Sequence, residues 1–112
     1  MDRDIQSWCY DVIKSITEIE SYFGEANRNF SFYKSNLLIK RAVERNLEII
    51  GEAVSRILKK NDSLPLTNAR KIIDTRNRII HSYDNVSDEI VWSIIINHLP
   101  KLKSELENFL NG

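Results

Sequence analysis

Four side chains that can take part in chemistry stand close together in the segment RNRIIHSY, residues 76–83. They are Arg76, Asn77, His81 and Tyr83. Histidine exchanges protons near neutral pH, since its unperturbed pKa is about 6.5. Arginine stays charged and offers a planar fork of donors to a phosphate. The apolar residues around them follow a helical pattern, and a packed helix needs none of these four polar groups.

These residue types suit the cleavage of RNA without a metal ion. An RNA 2′-hydroxyl can attack its own adjacent phosphate if a group such as His81 handles the proton. A fixed cation such as Arg76 would stabilise the charge that develops on the phosphate oxygens. Asn77 could position the phosphate or orient the imidazole. The sequence offers no other credible nucleophile and no acidic cluster with metal-ligand spacing, so we expect neither a metal nor a cofactor.

Structural roles for the same residues compete with this interpretation. Arg76 falls in the middle of an apolar stripe, where a guanidinium is costly unless it reaches water, a carboxylate or a phosphate. It could pair with Glu52 or Glu48 of the preceding helix. His81 could be an ordinary histidine near a helix C-terminus, where the helix dipole favours its cation. His98, the second histidine, is expected at a helix surface or at the edge of the core.

The spacing of Arg76 and His81 sets a condition on any shared site. On an ideal helix, residues five apart point about 140° away from each other. The two side chains converge only if the helix ends or distorts near His81, or if a two-fold partner brings a second copy alongside. A turn expected at Asp84 favours the first possibility, and the apolar surface described below favours the second.

Length and composition indicate one domain, residues 1–112, with an ordinary core. The chain is 42% hydrophobic and 29% charged, as is typical of soluble globular proteins. No window is apolar enough for a membrane span, and the polar N-terminus does not resemble a secretory signal. Cys9 is the single cysteine, which excludes an internal disulfide and fits a cytoplasmic location.

The net charge of zero hides an uneven distribution. Residues 28–78 carry twelve Lys and Arg against five Asp and Glu, a balance of +7. Residues 1–27 carry two basic and six acidic residues, and residues 79–112 carry two and five, which gives −4 and −3. A basic middle segment could attract phosphates, and ordinary solvated helix faces would explain it equally well.

Apolar residues recur at steps of three and four, which predicts an all-α bundle of four helices in up-and-down order. The expected bounds are about residues 5–23, Ser31 or Ser35 to Lys60, Leu66 to His81 or Tyr83, and residue 88 to the C-terminus. Asp2 or Asp4 can cap the first helix, and Gly24 stands where that helix should stop. Ser87 is the expected N-cap of the fourth helix, and Pro100 should kink it.

The second predicted helix has an unusually wide apolar surface. Its apolar residues form two adjacent stripes, one of Ile39, Val43, Leu47, Ile50, Val54 and Ile57 and one of Leu38, Ala42, Ile49 and Ala53. Packing inside one bundle does not require both stripes. We therefore expect a second interface in addition to the bundle core.

The motif RNRIIHSY resembles the R-x4-H motif of HEPN-domain ribonucleases, with Arg76 and His81 separated by four residues. Its RN-x-x-x-H-x-Y form is similar to the HepT-like toxins of bacterial and archaeal toxin–antitoxin pairs. The likeness extends to NLEIIGEAVSRI in the second helix, to LPL before the third and to VSDEIVWSII with LPKL after the motif. It covers most of the chain, and these flanking segments make it far more specific than R-x4-H alone.

This resemblance implies a homodimeric helical bundle in which two motifs face each other across a shared cleft. It implies a metal-independent endoribonuclease with Arg76 and His81 catalytic and Asn77 as a polar assistant. It also implies a partner, a minimal nucleotidyltransferase antitoxin that can transfer AMP from ATP to Tyr83. Such a modification would place phosphate charge and bulk where RNA must bind.

Two departures and two alternatives accompany the resemblance. Leu66 follows Pro65 where relatives often have an aromatic residue, and Arg78 could compete with Arg76 for an anion or bind phosphate itself. Instead of an enzyme, the chain could be a non-catalytic helical partner that presents substrate or nucleotide to a nucleotidyltransferase. A purely structural dimeric bundle is the lesser alternative.

Overall fold

A computed structural model describes residues 2–81 and 86–112, and in these two ranges the regular structure is entirely helical. The predicted all-α bundle is therefore confirmed. The α-helices are α1 (Arg3–Ser21), α2 (Phe30–Ser35), α3 (Leu37–Lys60), α4 (Ala69–His81), α5 (Asp88–Ser93) and α6 (Leu99–Asn111). A 3-10 turn (Glu25–Asn27) precedes α2, and a π-helical turn (Ile94–His98) joins α5 to α6.

The first helix begins as predicted and stops earlier than expected. The Asp2 side chain accepts hydrogen bonds from the backbone N–H groups of Asp4 and Ile5, which satisfies two donors at the start of α1. The helix ends at Ser21, and Gly24 is extended with φ −75° and ψ 168°. Gly24 is therefore not the left-handed stop that its position suggested.

The second predicted helix ends at Lys60 as expected, and the alternative start at Ser35 is close to the observed start of α3 at Leu37. The alternative start at Ser31 is wrong, because that residue belongs to the separate helix α2. Asn36 is extended between α2 and α3, and its side chain accepts a hydrogen bond from the N–H of Ile39. Asn29 caps α2 in the same manner. The break turns α2 so that Tyr33 is buried and stacks on Trp92 of α5, with ring centroids 5.8 Å apart.

The third predicted helix begins later than expected. α4 starts at Ala69, because Leu64 and Leu66 are buried in a turn that anchors the connection from α3. At its other end α4 is helical as far as His81. The expected end at Tyr83 and the expected turn at Asp84 lie outside the described residues.

The fourth predicted helix starts at Ser87, whose hydroxyl accepts a hydrogen bond from the N–H of Ile90 as an N-cap. The distortion expected at Pro100 takes the form of a π-helical turn. The N–H of Leu99 donates to the carbonyl of Ile94, five residues back, instead of four. One additional residue is thereby inserted just before the proline, which cannot donate a hydrogen bond of its own.

α3 is the central helix, because it packs on α1 on one side and on α4 on the other. α6 packs against α1, and the short α2 bridges α3 and α5. Buried apolar residues from all of these elements form one core cluster. Among the helices of the two described ranges, none is long and apolar enough to cross a membrane. Of the RNRIIHSY segment, Arg76 to His81 lie on α4, which packs against α3.

Candidate active site

Arg76 lies at the contact between α4 and α3, with the root of its side chain against the backbone at Gly51. A Cβ atom added to Gly51 would be 2.3 Å from Cβ and 2.6 Å from Cγ of Arg76. Protein atoms do not approach each other so closely, and these two atoms belong to the stiff root of the arginine. Because residue 51 is a glycine, α4 packs close to α3, and the side chain of Arg76 extends across the α3 backbone at this point.

The guanidinium of Arg76 has two polar neighbours. Nη1 donates to Oδ1 of Asn77 at 3.0 Å, and Nη2 lies 3.6 Å from Oε2 of Glu52. Nε is buried and has no hydrogen-bond partner among the described residues. The side chain is 25% exposed. Because an arginine carries five N–H donors, these contacts leave donor capacity for a further acceptor.

The pairing with Glu52 is one of the two structural alternatives that the sequence left open. The other, Glu48, pairs with Arg45 instead, at 3.2 Å. The Arg76–Glu52 contact is long for a charge-assisted hydrogen bond, and Glu52 is 48% exposed. Solvent screens such a pair, so it holds Arg76 only weakly.

His81 is exposed and is the last residue of α4 that the structure describes. α4 is α-helical from Ala69 to His81, so Arg76 and His81 leave the same regular helix. Helix geometry then separates their directions by about 140°. Arg76 points toward α3, whereas His81 points to solvent, and one chain by itself does not bring the two groups face to face within the described residues.

The other predicted site residues divide into three groups. Asn77 is half-buried and accepts the hydrogen bond from Arg76, which makes it a partner of the arginine. Arg78 is exposed on α4. Tyr83, the predicted site of modification, lies outside the described residues.

A surface cavity of about 410 Å³ opens at the edge of this arrangement. Its lining comes from α1, α3 and α4: Trp8, Asp11, Arg45, Glu48, Ile49, Glu52, Ala53, Arg56 and Ile80. The volume falls in the range of small-ligand pockets. Glu52 both lines the cavity and contacts Arg76, so the guanidinium of Arg76 lies next to a residue of the cavity wall.

Glu52 also makes a second and shorter ion pair. Its Oε1 lies 2.7 Å from Nη2 of Arg56, one helical turn along α3. The carboxylate is therefore shared by two guanidinium groups, one from α3 and one from α4. This arrangement makes the rim of the cavity a place where two cations converge.

His98 occupies a different part of the fold. It is half-buried in the π-helical turn, at the edge of the core, and its Nδ1 is buried without a partner in the described part of the chain. Burial lowers the pKa of His98 below its usual value, and the positive charge of Lys71 lowers it further. In the two described ranges no group of three or more His, Cys, Asp or Glu side chains is arranged to hold a metal ion.

Comparison with known proteins places this geometry in a family. The model of the family described as "Ribonuclease HepT-like" matches residues 12–109, which is most of the chain and includes the whole RNRIIHSY segment. The chain belongs to the HepT-like ribonuclease family. The resemblance inferred from the sequence is therefore confirmed, and the chain is a member of a family of RNA-cleaving enzymes.

Relatives of similar length support this membership. Putative RNase MJ1380 of Methanocaldococcus jannaschii is 31% identical over 107 residues, which cover 94% of this chain and 95% of the relative. Probable ribonuclease HepT of Thermococcus cleftensis is 30% identical over 108 residues, covering 96% of each. Putative RNase MJ1216, also of M. jannaschii, is 31% identical over 109 residues, covering 96% of this chain and 88% of the relative. No solved structure matches the chain.

In this HepT-like chain, sequence reasoning missed two residues that shape the candidate site. Gly51 stands in the interior of a 24-residue helix, where glycine costs about 1 kcal/mol relative to alanine. A glycine at such a position indicates that another element packs closely against the helix there. Arg56 carried no comparable signal, because an arginine on an exposed helix face is ordinary.

Proposed function

We propose that this chain is the toxin subunit of a toxin–antitoxin pair and cleaves RNA internally, without a metal ion, through Arg76 and His81. The proposal rests chiefly on one observation. A half-buried arginine with unused donor capacity and an exposed histidine occupy the R-x4-H positions of a chain that belongs to a ribonuclease family.

The chemistry follows from the two side chains. The imidazole of His81 accepts the proton of an RNA 2′-hydroxyl, and the 2′-oxygen then attacks the adjacent phosphorus. The bond from phosphorus to the 5′-oxygen breaks, that oxygen takes up a proton from water, and a 2′,3′-cyclic phosphate remains on the other fragment. Arg76 stabilises the additional negative charge on the non-bridging oxygens, and Asn77 holds the guanidinium in place for that task.

We further propose that the active site is assembled at a homodimer interface. Arg76 and His81 leave a regular helix about 140° apart, so two copies are needed to set a histidine opposite an arginine. The outward face of α3 supports this geometry. Leu38 is 81% exposed there, although a lone bundle gains nothing by presenting a large apolar side chain to water.

We also propose that an antitoxin inactivates the chain by modifying Tyr83. A minimal nucleotidyltransferase that transfers AMP to the Tyr83 hydroxyl would form a phosphodiester with tyrosine and release pyrophosphate from ATP. The bulky, charged nucleotide would then stand two residues from His81 and exclude RNA by repulsion and by size.

RNA cleavage in the presence of a chelator tests the catalytic part. The purified protein is expected to cleave single-stranded RNA in EDTA, and His81→Ala and Arg76→Ala are expected to reduce the rate at least about 100-fold. His98→Asn serves as the matched histidine control, and Arg70→Ala, on an exposed position of α4, serves as the arginine control.

Two outcomes contradict the proposal in different ways. Equal cleavage by wild type and His81→Ala indicates a contaminating nuclease and favours the non-catalytic binding partner.

Intact mass measured after coexpression with the antitoxin tests the modification. If toxicity is neutralised and no multiple of the AMP mass is added, or if Tyr83→Phe still gains that mass, Tyr83 is not the modified residue.

A further inference from the structure

The cavity rim holds a carboxylate that resembles a phosphodiester group in charge and in shape. Both groups carry a single negative charge on two terminal oxygens. Oε1 of Glu52 lies 2.7 Å from Nη2 of Arg56, and Oε2 lies 3.6 Å from Nη2 of Arg76. Each oxygen therefore faces a different guanidinium, as the two non-bridging oxygens of a phosphate would.

From this arrangement we propose that Arg56 and Arg76 form a phosphate-binding subsite for RNA, and that Glu52 occupies it until RNA displaces the carboxylate. This inference rests on the proposed ribonuclease function. It adds Arg56 as an RNA-binding residue and Glu52 as a resident counter-ion. Neither role belongs to the R-x4-H motif itself.

The strength of the two contacts favours such an exchange. Glu52 is 48% exposed and Arg56 is 55% exposed, so water and salt screen their interaction. The contact of Glu52 with Arg76, at 3.6 Å, is longer than its contact with Arg56, at 2.7 Å. A phosphate of a bound RNA chain is tethered by its neighbouring nucleotides, which raises its effective concentration at the site. A weakly held carboxylate is therefore readily exchanged for it.

The position of the subsite fits a bound RNA chain. Glu52 and Arg56 both line the 410 Å³ cavity, and Ile80, the residue before His81, lines its α4 side. A nucleotide in this cavity would be continuous with the phosphate that Arg76 contacts. Trp8 of α1 also lines the cavity.

Close packing at Gly51 makes the convergence possible. Because the stem of Arg76 lies against the backbone at Gly51, its guanidinium reaches the carboxylate of the next residue, Glu52. Arg56 is one turn further along α3 and reaches the same carboxylate from within its own helix. The two cations therefore meet at a position set by three residues of α3.

RNA binding in a cleavage-deficient background tests the proposal. In a chain carrying His81→Ala, a fluorescein-labelled single-stranded oligoribonucleotide is titrated at several salt concentrations and its Kd is read from fluorescence anisotropy. We expect Glu52→Gln to bind about two- to fivefold tighter, because the competing charge is gone. We expect Arg56→Ala to bind more weakly, with a salt dependence reduced by about 0.7 in logarithmic slope.

A second ion pair on the same helix provides matched controls. Arg41 and Glu44 pair at 2.9 Å with a similar spacing along α3. Glu44 lies about 12 Å of helix from Glu52, beyond the Debye length of about 8 Å at physiological salt. Glu44→Gln and Arg41→Ala change the net charge by the same amounts and are expected to leave the Kd nearly unchanged.

The outcomes separate this inference from the proposed function. If wild type cleaves RNA and Arg76→Ala abolishes cleavage, but Glu52→Gln and Arg56→Ala match their controls, the subsite is wrong and the nuclease stands. Weaker binding by Glu52→Gln also overturns the subsite. If no variant binds RNA and wild type does not cleave it, both proposals fall.

Discussion

At the scale of single residues, the position of Arg76 depends on Gly51, which has no Cβ atom. Gly51 lacks the Cβ that would lie 2.3 Å from Cβ of Arg76, so the two helices touch backbone to side chain at this point. An arginine is tolerated in an apolar contact when its aliphatic carbons are buried and its guanidinium reaches the surface. The tip can then meet Asn77, Glu52 and an incoming phosphate.

Gly51→Ala adds only one methyl group, but we expect it to disturb the site because that group has no space at the contact between α3 and α4. The added methyl must push α4 away or force Arg76 into another rotamer, which we expect to cost about 1–3 kcal/mol of unfolding free energy. Cleavage should fall at least about tenfold even at temperatures where the variant is folded, because the guanidinium is displaced. Urea denaturation and a single-turnover cleavage assay measure the two effects.

Gly24→Ala is the matched control for this substitution. An added Cβ at Gly24 meets nothing within 4 Å, and the backbone there has an ordinary negative φ. Its stability is expected to stay within about 0.5 kcal/mol of wild type. Full activity in Gly51→Ala would show that the contact is merely a packing feature and does not position Arg76.

The sequence indicated the polar residues of the candidate site and did not predict the packing that supports them. A cation on an apolar stripe, such as Arg76, needs a partner, and the sequence offers Glu52 and Glu48 for that role. The choice between Glu52 and Glu48 depends on the angle and register between α3 and α4. Such tertiary geometry is set by packing at Gly51, which a pattern along one helix does not encode.

At the scale of elements, a buried asparagine of α3 is hydrogen-bonded to residues at the C-terminal end of α1. Asn46 of α3 is buried, with 4% of its surface exposed. Its side-chain oxygen accepts a hydrogen bond from the hydroxyl of Tyr22, and its nitrogen donates to Glu18 at 2.9 Å. Because a buried amide must be satisfied, this link fixes the register of the two helices.

Asn46→Ala is expected to lower the free energy of unfolding by about 1–3 kcal/mol, since it removes two hydrogen bonds and leaves the Tyr22 hydroxyl without this acceptor. Tyr22→Phe should add little in the Asn46→Ala background, because the bond between them is already lost. Asn97→Ala, at an exposed asparagine of the π-helical turn, is the control. Fully additive losses in the double variant would contradict the link.

The bounds of the elements show which signals are local. Asp2 and Ser87 cap their helices as the sequence indicated, because capping involves only the next three residues. The sequence left the start of the second helix open between Ser31 and Ser35 and did not predict the separate helix α2. Tyr33 of α2 packs against Trp92 of α5, a contact far apart in the chain that no local pattern encodes.

At the scale of the whole molecule, ion pairs between segments compensate part of the uneven charge of the sequence. Lys60 pairs with Asp2 and Asp4, so the basic middle segment meets the acidic N-terminal segment. Lys40 pairs with Asp88 of the acidic C-terminal segment. The excess of +7 in residues 28–78 therefore overstates the cations available to RNA, and the few that converge at one cavity matter more.

The wide apolar surface predicted for the second helix is divided by the fold. Val43, Leu47 and Ile50 of one stripe are buried in the core between α1 and α4. The other stripe begins at Leu38, which is 81% exposed, and ends at Ala53, which is buried. Ile49 of this stripe lines the cavity that we propose for RNA, so the end at Leu38 is the surface that we expect the other subunit of the proposed homodimer to cover.

Leu38→Asp is expected to weaken the homodimer at least about tenfold, because a carboxylate would lose its water at the interface without a partner. Cleavage should fall with the dimer fraction, since one chain alone directs Arg76 and His81 apart. Tyr10→Asp, at a residue of α1 that is 56% exposed, is the control. Sedimentation velocity over a concentration series measures the dimer, and circular dichroism checks the fold. A folded Leu38→Asp monomer that still cleaves RNA at the wild-type rate would show that each chain carries a complete site, and the two-copy arrangement of the arginine and the histidine would be wrong.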